Sequence, residues 1–248
     1  MKTESFGSPS FTFFFSGRNL MKRWIGAVLS LVCVCFIGCK DKDEDLQQQL
    51  LLYREGKMSA YAVENEQYAD YECDVAFLGD SLTDGYDLAY YYPQYKVVNR
   101  GIGGETTVGL EERMQLSLYD LKPKVAVMLI GANNMDSMFD NYEDILRGFT
   151  QHVPQTKIVL LSLTSMGGEW GKKNQLAAYN NVKIKMLAEE YGFEYVDLYS
   201  ALFNPQSGEI YPEYTTDGGH LTALGYEVLT REITPAVERQ LALWYLEN

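Results

Sequence analysis

Five short and largely apolar runs punctuate the chain, at 75–78, 97–99, 125–130, 158–163 and 195–198. Runs of this length, apolar without alternation, predict strands buried on both faces. Between and after them lie stretches whose apolar positions recur at helical spacing, at 106–118, 141–151, 173–191 and 222–246. Strands alternating with helices predict an α/β domain of three layers, a mostly parallel five-stranded sheet between helices. Ahead of the first strand, residues 44–69 are mostly helix formers, with Leu46, Leu50, Tyr53 and Met58 on an expected apolar face. No internal repeat or second linker interrupts 46–248, so one domain that includes this N-terminal helix is expected.

The N-terminus reads differently. Residues 24–38 form an uncharged apolar run after Lys22-Arg23, shorter than the roughly 20 residues of a membrane-spanning helix. That shape predicts a signal peptide over 1–38, with Met21 as an alternative start that would make 1–20 a misassigned extension. The run closes on Phe36-Ile37-Gly38-Cys39, which resembles a bacterial lipobox although Leu is usual where Phe36 stands. The resemblance implies lipidation of Cys39, export and an outer-membrane lipid anchor; a cleaved signal without lipid is the alternative. Residues 39–45 are then an acidic tether. They resemble the tract that sends some Gram-negative lipoproteins to the cell surface, and a solvated spacer explains them equally well.

Composition narrows the partners. The 248 residues carry a formal net charge of −13. Removing 1–38 takes four basic residues and one acidic residue with it, leaving −16. Such a surface excludes a nucleic-acid binder and leaves a lipid anchor as the only expected membrane contact. Two His and four Cys argue against a zinc site, and no metal or other cofactor is expected. Cys33 and Cys35 leave with the signal and Cys39 takes the lipid, so Cys73 stands alone and no disulfide framework remains.

In an open parallel sheet, chemistry gathers where loops leave the carboxyl ends of the strands. After the first strand comes Gly79-Asp80-Ser81-Leu82; after the second, Arg100-Gly101-Ile102-Gly103-Gly104-Glu105-Thr106-Thr107. Gly131-Ala132-Asn133-Asn134 follows the third, and Asp217-Gly218-Gly219-His220-Leu221 precedes the last helix. Singly each has an ordinary explanation: Ser81 as a helix cap, Asn133 as a turn residue, His220 as an exposed loop histidine. Together they hold the parts of acyl transfer, which needs a hydroxyl nucleophile, a base, an acceptor that orients the base, and donors for the oxyanion. Asp217 and His220, three apart, let a carboxylate take Nδ1–H while Nε2 faces Ser81.

These four blocks resemble the GDSL esterase/lipase family, the SGNH hydrolases, over residues from about 74 to 240. The resemblance implies a flavodoxin-like fold with Ser81 as nucleophile, His220 as base and Asp217 as its orienting partner. It implies an oxyanion hole made by the Ser81 and Gly104 N–H groups and the Asn133 amide. The second block and Asn134, where the family commonly has Asp, are similar to the branch of brain-type platelet-activating-factor acetylhydrolase. Gly219 stands where Leu is frequent, which is expected to loosen that loop. The other histidine, His152, is expected in solvent at the opposite sheet edge. Trp170 and Tyr90, Tyr91 and Tyr92 are read first as packing residues and second as cleft walls. The expected substrate is a small ester, an O-acetyl group on carbohydrate. A lysophospholipase or acyl-thioesterase is the alternative within the class, and a non-catalytic glycan-binding lipoprotein the alternative outside it.

Overall fold

The computed structural model describes residues 45–248. The signal segment, Cys39 and the acidic tether up to residue 44 lie outside the described residues. Helix α1 covers 45–65; its first part, to Tyr53, falls in an N-terminal unit, and the chain from Arg54 onward forms a second unit. Of the expected apolar face of α1, Leu46, Leu50 and Tyr53 fall in the first unit and are exposed, while Met58 in the second is half-buried. The residue of α1 that is buried is Tyr61, whose hydroxyl donates to the Gly101 carbonyl at 2.6 Å.

In the second unit the apolar runs become β1 (Val75–Gly79), β2 (Val97–Gly101), β3 (Val125–Leu129), β4 (Lys157–Leu161) and β5 (Glu194–Val196). They pair in parallel in the order β2-β1-β3-β4-β5. Alternate side chains leave opposite faces. Ala76, Leu78, Met128 and Leu160 join the core under α4 (Thr107–Glu112), α5 (Tyr142–His152) and α6 (Asn174–Tyr191). Val75, Phe77, Val127 and Leu161 meet Val228, Ile233 and Val237 of α8 (Ala223–Glu247) on the other face. Both faces are covered, which is why the runs read as continuously apolar. Full burial of each of these Val, Leu, Ile, Phe and Met side chains contributes about 1.5–3 kcal/mol.

Several elements depart from the expected boundaries, among them β4, which ends at Leu161 and not at Leu163. The fifth strand ends at Val196, because the Asp197 side chain accepts from Ser200 N–H and starts α7 (Leu198–Leu202). The helix expected over 106–118 is broken after Glu112, and Gln115–Tyr119 continues as a π-helical turn. Short elements that carry no periodic signal complete the fold: α2 (Ser81–Asp84), α3 (Leu88–Tyr91) and an antiparallel hairpin of β6 (Phe203–Asn204) and β7 (Glu209–Ile210). Strand β1 lies between β2 and β3, so the chain leaves it toward one neighbour and returns on its other side. The carboxyl ends of β1 and β3 are therefore the crevice in which such sheets bind ligands.

Candidate active site

Ser81 opens α2 directly beyond β1. The cap of that helix is its neighbour: Asp80 accepts from Leu82 N–H through Oδ1 at 3.0 Å. Capping by Asp80 leaves the Ser81 hydroxyl free for other work. Its Oγ lies 3.1 Å from His220 Nε2, and His220 Nδ1 lies 2.7 Å from Asp217 Oδ2. The structure thus brings Ser81, His220 and Asp217 into one line, from loops at opposite ends of the domain sequence.

The Asp217 loop is held rather than loose. Asp217 Oδ1 accepts from Gly219 N–H at 2.9 Å and His220 N–H at 2.7 Å. The His220 carbonyl accepts from Thr216 N–H and from the Thr215 hydroxyl, and Gly167 N–H reaches the Gly218 carbonyl. Gly219 does not slacken this loop; a side chain there would press on the Trp170 indole. The hydrogen bonds from the His220 ring and from the two backbone N–H groups pull the Asp217 carboxyl down to about 2. The neighbouring Asp80 goes the other way. It is 2% exposed, and burial pushes its carboxyl up to about 6.

The second and third loops meet beside Ser81. Gly104 sits at φ +78°, a left-handed conformation that costs a side-chain-bearing residue about 1–2 kcal/mol. Asn133 Nδ2 donates to the Glu105 carbonyl at 2.8 Å, which occupies one of its two amide hydrogens. Asn134 ties the same loops together: its Oδ1 accepts from Thr107 N–H at 3.2 Å and its Nδ2 donates to the Thr107 hydroxyl at 2.9 Å. A structural clip between loops is thus what an amide does at this position.

A cavity of about 70 Å³ opens here, lined by Ser81, Asn133, His220, Met166, Thr164 and Trp170 among others. Trp170 is therefore a wall of the site, 42% exposed, with the Lys173 ammonium over its ring at 4.8 Å. Tyr92 is buried in the core, Tyr91 donates to the Ala223 carbonyl, and Tyr90 faces solvent. None of the three lines the cavity. Gly104 stands outside the immediate lining, one residue from the carbonyl that holds Asn133. His152 is exposed, on the end of α5 that leads into the start of β4, and stacks on Tyr119 at 4.4 Å.

Sequence reasoning missed the side chains that fix the wall after β4. Asn181 bonds both N–H and C=O of Leu163, at 2.7 and 3.0 Å, and Asn174 does the same for Met166, both at 2.8 Å. Their spacing of seven on α6 was the available signal, since polar residues recur there on a buried stripe. Among the described residues, no group of three His, Cys, Asp or Glu side chains could hold a metal ion. No described helix is long and apolar enough to cross a membrane.

Known proteins share this fold. A Streptococcus pneumonia protein provisionally described as a platelet activating factor is 26% identical, with a TM-score of 0.66, over 77% of this chain and 96% of its own. A GDSL-like lipase from Bacteroides thetaiotaomicron is 24% identical, with a TM-score of 0.65, over 73% of this chain and 97% of its own. An acetylxylan esterase from Geobacillus stearothermophilus, solved as a catalytic mutant, is 23% identical with a TM-score of 0.55, over 68% of this chain and 95% of its own. No protein of curated function matches the chain. Residues 77–228 match the model of the GDSL-like lipase/acylhydrolase family, which covers more than half of the chain, and the chain belongs to that family.

Proposed function

We propose that this acylhydrolase works through Ser81, His220 and Asp217 on small acyl esters, and that its substrates are O-acetyl groups on carbohydrate. The observation that carries the reading is the Ser81–His220–Asp217 line, with gaps of 3.1 and 2.7 Å, at the mouth of a small cavity. In the first step Ser81 Oγ attacks the ester carbonyl and gives its proton to His220 Nε2. Asp217 accepts Nδ1–H throughout and steadies the imidazolium. The oxyanion is taken by the Ser81 and Gly104 N–H groups and by the second Asn133 amide hydrogen. The C–O bond to the alcohol then breaks and the alcohol leaves with the His220 proton. Water, deprotonated by His220, attacks the acyl-serine and releases the acid, which returns the hydroxyl to Ser81.

Size supports the acyl preference. The cavity beside Ser81, about 70 Å³, is bounded closely by Leu82, Ala132, Thr164, Met166 and Trp170, which suits an acetyl better than a fatty acyl chain. The same fold occurs in a protein named an acetylxylan esterase, so it accommodates deacetylation of a glycan. Trp170, part-exposed in the cavity wall, gives a sugar an aromatic surface to pack against. A lysophospholipase or thioesterase would need a longer apolar groove, and a non-catalytic glycan binder would have no use for an aligned serine and histidine. Export and lipidation at Cys39 belong to the same proposal and would place the enzyme where glycans arrive. The test is a chain-length series of p-nitrophenyl esters followed by acetylated xylo-oligosaccharides. The expected result is kcat/KM highest for acetate and falling steeply by octanoate; an octanoate optimum would favour the lysophospholipase reading.

A further inference from the structure

Glu105, Gly109 and Arg113 stand four residues apart across the loop after β2 and helix α4. Two residues eight apart on one helix do not meet. Here Glu105 precedes the Thr106 cap and folds back over the helix, and Gly109 makes room for it, since any side chain at 109 would overlap the Glu105 carboxylate. The carboxylate Oε2 then accepts from Arg113 Nε at 2.9 Å. Both side chains are buried, Arg113 to 1% and Glu105 to 7% exposure.

The same guanidinium reaches two strand ends. Arg113 Nη2 donates to the Gly79 carbonyl at 3.1 Å, two residues before Ser81. Nη1 donates to the Arg100 carbonyl at 2.9 Å and to the Ser117 hydroxyl at 2.8 Å. Glu105 carries the connection onward. Its own N–H is bound to the Ile102 carbonyl at 3.2 Å, and its carbonyl is the acceptor that fixes the Asn133 amide at 2.8 Å. Arg54 approaches the same carboxylate from outside, at 3.5 Å. Ser81, Gly104 and Asn133 are therefore each within two residues, or one hydrogen bond, of an atom gripped by this pair.

We infer that the Arg113–Glu105 pair is a positioning device for oxyanion stabilisation, setting the Gly104 and Asn133 donors relative to Ser81. Apolar side chains would fill the same volume but have no direction. A guanidinium presents its donors as a rigid fork and can register three chain segments at once. Buried ion pairs are weak contributors to net stability, so a role in fixing geometry explains what the pair is for. The inference rests on the serine mechanism proposed above.

The experiment compares Glu105→Gln with the unaltered full-length chain, using p-nitrophenyl acetate and a trifluoromethyl ketone that forms a tetrahedral adduct on serine. The expected result is a kcat lowered about tenfold or more, a KM within about twofold, and an inhibitor affinity weakened by the factor seen in kcat/KM. A folded Glu105→Gln protein with unaltered kcat and inhibitor affinity overturns the inference, and so does a loss of kcat without a matching loss of inhibitor affinity. Should Glu105→Gln fail to fold, the double variant Glu105→Leu/Arg113→Met leaves no unpaired buried charge, and it is expected to fold with the same kinetic losses; full activity in it overturns the inference. Ser81→Ala separates the two levels. Turnover by that variant removes the serine mechanism itself, whereas an inactive Ser81→Ala beside a fully active Glu105→Gln removes only the role of the pair.

Discussion

Asp80 and Asp217 both feel the same histidine, the one through space and the other through a hydrogen bond, and their surroundings drive the two carboxylates apart. Burial is the first cause at Asp80, and the bonds from the His220 ring and backbone are the first causes at Asp217. The signs of their effects on folding are opposite. Asp80 is raised to about 6 from an ordinary 3.8, so its stabilising contribution is complete below about 3.8 and disappears as pH rises through about 6. Asp217 is lowered to about 2, so its contribution is present above about 3.8 and is lost as pH falls through about 2. Urea unfolding at a series of pH values from 4 to 7 should therefore show an Asp80-dependent fall in stability. Asp80→Asn, which keeps an acceptor for Leu82 N–H, should flatten that fall; an unchanged slope would contradict the buried-carboxyl assignment. Asn133 has a different residue-scale test. Asn133→Ala should lower kcat by about 10²–10³ with little change in KM, as expected for a donor used mainly in the transition state. A steady-state titration with p-nitrophenyl acetate measures both.

At the scale of elements, the long periodic segments were legible and the short ones were not. The buried strands and the helices α5, α6 and α8 carry enough residues for apolar spacing to outweigh local preferences. Leu198 shows the limit: it extends an apolar run, yet Asp197 beside it caps a helix, and the local hydrogen bond wins. The four loops stood out because, ordinary one by one, they hold together the parts that acyl transfer needs. Trp170 did not, since an aromatic residue in a Gly-rich loop looks the same whether it packs or lines a cleft. The loop after β4 was equally silent, because its rigidity comes from Asn174 and Asn181 on a distant helix. Each amide stands in for a strand partner, satisfying one N–H and one C=O of the loop. Asn181→Ala orphans two buried backbone groups of Leu163, and each should cost about 1–3 kcal/mol in denaturant unfolding. A loss below about 0.5 kcal/mol would mean that the wall beside Thr164 and Met166 is held by other means.

For the whole molecule, the order of the strands explains why residues so far apart in sequence share a site. The chain leaves β1 toward β2 and comes back on the far side for β3, which opens a crevice at their carboxyl ends. Three of the loops enter that crevice from strand ends, and the loop before the last helix brings Asp217 and His220 to it. The acidic balance of the chain bears on where it works rather than how: it disfavours polyanions and is compatible with a neutral acetylated glycan. Anchoring through Cys39 predicts that radiolabelled fatty acid enters the protein in a bacterial host and that Cys39→Ala abolishes the label; a label that survives would refute the anchor. The central claim is an acyl-enzyme on Ser81, and its most direct test is mass spectrometry after exposure to a small fluorophosphonate. One adduct per chain, on Ser81, with activity lost in proportion, is the result this account predicts. An adduct on another residue, or full labelling and turnover in Ser81→Ala, would contradict it.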